Sequence, residues 1–305
     1  MKILLTGATG FVGSYVLEGL LADGHTLYVA KRSFSKVDRI ESFLKDCKTY
    51  NVDQVPLERI YKENSIECLV HCATYYGRSD KEYIKNAESN LFFPLKVMSY
   101  GIEYGVKNFV NTDSFFCNQI KSEQDLGKEF YMSGYTLAKE QFRQWGKVLS
   151  TKHGINFTNL KLEHVYGEKD DINKFIPYVI EQCRNNVHTL DLSEGNQERD
   201  FVYVKDVANA YRVVVNSLKC QTTKGYVEYG VGTGRVWKLK EFVEIIHKAL
   251  GSGTILNWGA ISVQKGEIIS SRADNISLKK LGWMPGIVEN AQIEQVFRNW
   301  IERKF

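Results

Sequence analysis

Proline is scarce in this chain: four residues in 305, at 56, 94, 177 and 285, and they mark no hinge. Cysteine is present six times, at 47, 68, 72, 117, 183 and 220, but never as a CxxC pair, so a cysteine-based zinc or redox motif has no support. Cys68 and Cys72 flank the apolar run Leu69-Val70, where free thiols are ordinary, and a reducing compartment is expected. No apolar run approaches the ~18 residues that a membrane span requires. Met1-Lys2 runs at once into Ile3-Leu4-Leu5 and a glycine-rich turn, without the longer apolar stretch of a secretory signal, so a soluble, cytoplasmic protein is expected. Neither charge sign dominates: 40 Lys plus Arg against 36 Asp plus Glu leave a net charge of +4. That is too weak for a nucleic-acid stripe, and it suits a small anionic ligand.

What is present is a length sufficient for a sizeable core without staples, in two domains or one α/β unit with a lobe. Residues 2–5, 26–30, 67–71 and 108–111 read as strands, and 156–162 and 225–230 as further strand-like runs. Helical patterns fill 15–22, 54–63 and 83–104, with others at 239–250 and from about 289. Strands alternating with helices imply βαβ units, hence an α/β fold with a doubly wound parallel sheet. The more mixed last third reads as a smaller mixed α/β C-terminal lobe.

Four constellations carry chemistry. Gly7-Ala-Thr9-Gly10-Phe11-Val12-Gly13 follows the first strand directly and opens a helix. Such glycines let the backbone approach a pyrophosphate, whose charge sits at the helix N-terminus. The spacing is one residue wider than G-x-G-x-x-G, and the alternative is an ordinary strand–helix turn. The second strand ends in Lys31-Arg32, where NAD-preferring folds carry an acid for the ribose 2′-hydroxyl. Two cations there favour a 2′-phosphate, hence NADP(H); the alternative is a solvated basic loop. Tyr135 and Lys139 are spaced i,i+4, on one helix face, where a cation can lower a phenol's pKa and fit it for proton transfer at a carbonyl. Tyr131 precedes Tyr135 by four but has no matching lysine. Thr112-Asp113-Ser114 lies at the carboxyl end of a strand, where such sheets bind ligands, although a plain turn reads the same way. These motifs divide the chain into a dinucleotide-binding domain at 1–167, with a returning strand near 225–230, and a mainly substrate-binding lobe at 168–305.

Together these residues resemble the extended short-chain dehydrogenase/reductase family that acts on nucleotide sugars, over nearly the whole chain. Further matches are His71-Cys-Ala73-Thr74, Asn90, His164-Val-Tyr-Gly167, Arg199-Asp-Phe-Val-Tyr-Val204 and Leu281-Gly-Trp-Met-Pro285. The resemblance implies a Rossmann domain with Thr112, Tyr135 and Lys139 as catalytic triad. It implies coenzyme contacts from Gly7, Thr9, Gly10, Phe11, Val12, Gly13, Lys31, Arg32, Ala73 and Asn90, besides Tyr135 and Lys139. The implied substrate residues are Thr74, Thr112, Asp113, Ser114, Tyr135, His164, Lys174, Phe175, Arg199 and Lys265, with Arg199 clamping the pyrophosphate. His164 departs from the family's usual Asn: it could donate to a phosphate oxygen or be a structural histidine. No metal is implied.

Within the family, Ser114 is a poor proton acceptor where 4,6-dehydratases carry Glu. The segment Glu168–Lys174 lacks the histidine that 3,5-epimerase/reductases need, and Lys31 and Arg32 argue against a 4-epimerase holding NAD. What remains is an NADPH-dependent reduction at C4 of a nucleotide-linked 4-keto sugar. The wording of 111–116, 162–167, 173–177 and 258–261 is similar to reductases of CDP-linked 4-keto-3,6-dideoxy sugars, which serve surface-polysaccharide synthesis. A 4-epimerase and a non-catalytic dinucleotide-sensing protein are the alternatives. The resemblance also implies a homodimer, in keeping with apolar residues beyond one stripe: Leu91, Phe92, Phe93, Leu95, Val97 and Met98 on one helix, Phe142, Trp145, Val148 and Leu149 on another.

Overall fold

The structure, a computed structural model, describes residues 1–77, 82–119, 134–219, 225–263 and 267–302. Six strands of its main sheet are β1 (Lys2–Thr6), β2 (Thr26–Lys31), β3 (Cys47–Asn51), β4 (Cys68–His71), β5 (Asn108–Ser114) and β6 (Asn156–Leu162). The order across the sheet is Tyr226–Val231, β6, β5, β4, β1, β2, β3. The pairs from β3 to β6 are all parallel, with Ile3 opposite both Leu27 and Cys68. Ile3, Leu4 and Leu5 are fully buried, as a strand covered on both faces requires. Because the chain winds outward from β1 through β2 and β3, then outward again from β4 through β5 and β6, its direction reverses between β1 and β4. That reversal is where open α/β sheets bind ligands.

Helix α1 (Phe11–Ala22) buries Phe11, Tyr15, Val16, Leu17 and Leu20. A short α2 spans Glu58–Glu63. The helical stretch expected over 83–104 is interrupted: α3 (Tyr83–Ala87) passes through a π-helical turn at Glu88–Phe92 into α4 (Phe93–Glu103). Pro94 has no N–H to continue a regular ladder, and the wider turn carries Asn90 inward. β3 had no signal in the sequence, since only Tyr50 of its five residues is buried. Helix α5 (Gly134–His153) places Tyr135, Lys139, Phe142 and Arg143 on its buried face.

The chain divides into two compact units, Met1–Leu162 with Ala208–Gly230 and Ser277–Trp283, and Glu163–Val207 with Val231–Ile276 and Met284–Phe305. Where a division at 167 with a returning strand near 225–230 is expected, the first unit instead stops at Leu162 and takes in all of Ala208–Gly230 and also Ser277–Trp283; the strand His164–Tyr166 pairs in parallel with Phe201–Tyr203 of the second unit. That unit's core is aromatic. Phe201 stacks on Phe242 at 3.8 Å, and Tyr166 packs against Phe242 and Phe297. The stretch expected as one strand at 199–204 is two, Glu198–Arg199 and Phe201–Tyr203, separated by the fully buried Asp200. Its carboxylate accepts hydrogen bonds from Thr233 N (2.8 Å), Thr233 Oγ1 (2.7 Å), Gly234 N (2.9 Å) and Ala273 N (3.1 Å), tying three segments together.

Candidate active site

The glycine turn after β1 is shaped by contacts that leave no room for side chains. Gly7 has φ +74°, and a Cβ there would lie 2.3 Å from the Ala73 nitrogen. A Cβ on Gly13 would lie 2.1 Å from the Gly7 carbonyl oxygen. The turn closes through Gly10 N to Gly7 O at 3.0 Å, and Gly10 caps α1 without a side-chain hydrogen bond. No acidic residue stands in the first turn of α1. The helix N-terminus therefore meets the turn with its positive end unopposed by side-chain charge from that turn, and the donors fit a pyrophosphate. Thr9 and Val12 are partly exposed in this turn and Phe11 is buried.

Ala73 and Thr74 follow β4, whose terminal His71 is held by Thr6 Oγ1 at 2.7 Å. Burial, with Lys139 nearby, pulls the His71 pKa well below its usual value, so this ring is neutral. Asn90 fixes the segment beyond: its Oδ1 accepts from Tyr75 N at 3.0 Å and its Nδ2 donates to Tyr75 O at 2.7 Å. At the end of β2, Lys31 Nζ donates to Asn51 Oδ1 at 2.8 Å, while exposed Arg32 lies 4.7 Å above the Phe34 ring. Ser33 donates through N and Oγ to the Asp53 carboxylate at 2.7 and 2.6 Å.

Tyr135 is 5% exposed and stacks on Tyr76 with ring centroids 4.8 Å apart. Burial pushes its phenol pKa well above the usual value, Tyr76 adds to that, and the Ser114 side chain opposes it through a hydrogen bond. Lys139 is fully buried and donates to the Thr112 carbonyl at 2.7 Å. Burial lowers its pKa, and the Asp113 charge works against that. The Thr112 hydroxyl reaches His71 O at 2.7 Å and Tyr211 OH at 2.5 Å. Asp113, on the opposite face of β5, is 2% exposed. Its carboxylate accepts from Ser114 N (2.8 Å), Cys117 Sγ (3.2 Å), Asn159 Nδ2 (2.8 Å) and Arg143 Nη1 (3.4 Å). Asp113 thus faces the protein interior, as strand alternation dictates once Thr112 and Ser114 face the other way.

The remaining substrate candidates belong to the second unit. Arg199 is 6% exposed; it donates to Glu198 O and to Glu267 Oε1, each at 2.9 Å. Burial and the Arg199 charge draw the His164 pKa down to about 3, which makes its imidazole neutral near pH 7. Lys174 pairs with Asp170 at 2.8 Å, and Phe175 is 39% exposed at the start of the helix Phe175–Arg184. Lys265 and Tyr131 lie outside the described residues.

A glycine cradle at the switch point, a buried Tyr–Lys pair one helical turn apart and a hydroxyl-bearing strand end form a recognisable set. Residues 3–228 match the NAD dependent epimerase/dehydratase family. The chain belongs to that family. It is 35% identical to a CDP-abequose synthase of Salmonella muenchen over 92% of each chain, and 33% identical to one of Salmonella typhimurium (strain LT2) over 97% of each. Among solved structures, a UDP-glucose 4-epimerase of Thermotoga maritima with UDP-glucose superposes with a TM-score of 0.84 at 22% identity, covering 99% of each chain. The Thermus thermophilus UDP-glucose 4-epimerase in complex with NAD gives 0.78 at 23% identity, again over 99% of each chain. At those identities the likeness establishes the fold. Membership makes this an enzyme of the NAD dependent epimerase/dehydratase family, with a Rossmann-like sheet.

Several residues of this family member had no motif to reveal them. Tyr211 reaches Thr112 from a helix 99 positions later in the chain, and Arg143 reaches Asp113 from the helix that carries Tyr135. Tyr76 is an unremarked aromatic in sequence, although its neighbourhood to His71–Thr74 could have flagged it. Among the described residues, no group of three or more His, Cys, Asp or Glu side chains could hold a metal ion, and no helix is long and apolar enough to cross a membrane.

Proposed function

We propose that this chain is an NADPH-dependent reductase of the C4 ketone of a nucleotide-linked 4-keto-(3,6-di)deoxy sugar. We take the sugar to be CDP-linked and the product a deoxysugar precursor for a surface polysaccharide. The observation that carries the reading is Tyr135: a buried phenol held in its protonated form, beside a buried lysine, at the carboxyl end of the sheet. A protonated phenol is the form that gives a proton to a ketone becoming an alcohol.

Gly7, Gly10 and Gly13 fit a coenzyme pyrophosphate, Lys31 and Arg32 its 2′-phosphate, and Asn90 orders the segment carrying Ala73 beside it. A bound reduced nicotinamide supplies the hydride for the carbonyl carbon. Tyr135 delivers the proton to the carbonyl oxygen, and Lys139 holds the nicotinamide ribose and steadies the phenolate that remains. Arg199 and His164 take the substrate's phosphates. The CDP preference rests on the two 33–35% identical relatives, both CDP-abequose synthases. In this reading the chain works as a homodimer through α4 and α5, where Phe92, Trp145 and Val148 stand 60%, 48% and 56% exposed.

Turnover of CDP-, dTDP- and GDP-linked 4-keto sugars with NADPH and NADH tests the proposal, with product stereochemistry by NMR. Oxidation of NADPH with a CDP-linked substrate is expected. Tyr135→Phe should lower kcat by about 10²–10⁴-fold while coenzyme binding persists. A tightly held, non-exchanging NAD, with interconversion of C4 epimers and no net coenzyme oxidation, would make the chain a 4-epimerase instead.

A further inference from the structure

We propose that Arg143 is a positioning residue for the reaction: by clamping Asp113 it fixes α5 on the end of β5, and so sets where Tyr135 and Lys139 stand beside Thr112. The assignment rests on the reductase reading above. Tyr135, Lys139 and Arg143 follow one another at four-residue intervals, so they form one stripe of α5, each about 6 Å further along the helix axis. All three are buried. The last two grip consecutive residues of β5. Lys139 Nζ donates to the Thr112 carbonyl at 2.7 Å, and Arg143 Nη1 donates to Asp113 Oδ2 at 3.4 Å. One grip alone would let the helix pivot about it. Two grips, one helical turn apart, fix both its slide along the strand and its tilt.

The packing between and below them is apolar. Phe142 lies against Phe109 and Phe157, with ring centroids 5.7 and 5.8 Å away. Gly146 brings the helix so near the sheet that a Cβ there would lie 2.3 Å from the Phe157 ring. Such contacts hold the helix down without direction, whereas a hydrogen bond weakens steeply as its angle departs from linear. Asp113 is itself a fixed anchor: Ser114 N and Asn159 Nδ2 donate to it at 2.8 Å each, and Cys117 Sγ at 3.2 Å. Arg143 is held on its other side as well. It donates through Nη2 to Glu140, and Nη1 lies 3.7 Å from Glu228 Oε2 on the strand Tyr226–Val231. Asn159 donates to both Asp113 and Glu228, at 2.8 and 2.9 Å. Arg143, Asp113, Asn159 and Glu228 therefore close a ring that joins α5 to three strands. Removing Arg143 opens that ring one turn from Lys139 and two turns from Tyr135. A shift of about 1 Å in a reacting group can cost about 10²-fold in rate.

The test uses the full-length protein with NADPH and the best keto sugar of the panel, with kcat measured well below each variant's melting temperature. Arg143→Met is expected to lower kcat by about 10²-fold, while KM for the sugar and the NADPH dissociation constant from fluorescence titration move less than about threefold. It should also melt lower, since a buried charge loses its partner. Arg143→Lys keeps a cation opposite Asp113 and should recover at least about tenfold of the lost kcat. Because Arg143 acts through Asp113, its effect on kcat should not add to that of Asp113→Asn: the doubly substituted chain should be no slower than the slower single variant. A brace that served the fold alone would lower the melting temperature and leave kcat near that of the unmodified chain. The assignment is therefore overturned if folded Arg143→Met keeps kcat within about threefold, if Arg143→Lys is no faster than Arg143→Met, if the two single effects add in full, or if NADPH affinity falls as far as kcat. Should Arg143→Met not fold, as judged by circular dichroism, Asp113→Asn keeps the shape of the side chain and carries the test, and kcat within about threefold for it overturns the assignment. An unmodified chain that turns over none of the keto sugars would overturn the reductase reading itself, before any variant is compared, and the assignment would fall with it.

Discussion

The Arg199 guanidinium donates to the Glu267 carboxylate at 2.9 Å, deep in the second unit, with its other end on the Glu198 carbonyl. A guanidinium has five N–H donors, so one that donates to a carboxylate can also donate to a phosphate, since both present acceptor oxygens. Arg199→Met is expected to raise KM for the nucleotide sugar by at least about tenfold, as loss of a charge-assisted hydrogen bond of about 1.5–3 kcal/mol implies. KM for NADPH should move less than twofold. Steady-state kinetics and a melting curve on one preparation check this. Equal changes in both KM values with a lowered melting point would mean that the ion pair with Glu267 is the arginine's whole role.

Arg32 stands exposed over Phe34, whereas Lys31 is engaged with Asn51. Of the two, Arg32 is the cation more open to a 2′-phosphate. Replacing the pair as Lys31→Asp with Arg32→Asn should shift the kcat/KM ratio from NADPH toward NADH by roughly tenfold or more per lost contact. An unchanged ratio would put the phosphate elsewhere.

Glu228 supplies a pH-dependent contribution to stability. Burial disfavours its charge, but Lys161 at 2.5 Å, the Tyr226 hydroxyl and Asn159 at 2.9 Å outweigh that and hold its pKa at about 2, against 4.5 for a free side chain. A depressed carboxylate pKa stabilises the fold fully above the unfolded value, and the contribution fades as pH falls from about 4.5 toward about 2. Glu228→Gln should therefore melt several degrees below the unmodified chain at pH 7, at about 2–4 °C per kcal/mol, with the gap narrowing as pH is lowered through that window. A gap independent of pH would show that the loss is one of packing.

Trp145 and Val148 of α5 and Phe92 before α4 remain exposed, while Val97, Met98 and Phe142 of the same helices enter the core. In the proposed dimer these three exposed side chains would be covered by the second copy. Light scattering is expected to give twice the chain mass of 35.0 kDa, and Trp145→Glu should shift it toward 35.0 kDa by burying a charge at the contact. An unmodified chain that scatters as a monomer at working concentration would refute the dimer.

Much of the first unit is legible in the sequence. The short apolar runs Ile3-Leu4-Leu5 of β1, Leu69-Val70 of β4 and Phe109-Val110 of β5 are buried and mark these strands in the sequence, and the helix Leu239–Leu250 has the extent its periodicity predicts. β3 was invisible because a strand at the edge of the sheet buries only one of its five side chains, and such a pattern resembles a loop. The π-turn at Glu88–Phe92 was read as plain helix, since periodicity over one turn cannot distinguish five residues per hydrogen-bonded ring from four.

The amino-acid order alone determined which residue types stand at the switch point: the three glycines, the i,i+4 pair Tyr135 and Lys139, and the three consecutive polar residues after Asn111. These are local, set by neighbours within a few positions, and local spacing is what a sequence displays. Which partners the Thr112 hydroxyl takes was decided by residues far away in the chain. Tyr211 lies 99 positions from Thr112, and His71 lies 41. Likewise, strand alternation could say that Asp113 faces away from Thr112, but only the packing of α5 and β6 on β5 could give it Arg143 and Asn159 as partners and turn a site candidate into a buried brace. A hydrogen bond is satisfied by whatever lies within about 3 Å, and that distance is a property of the folded chain alone.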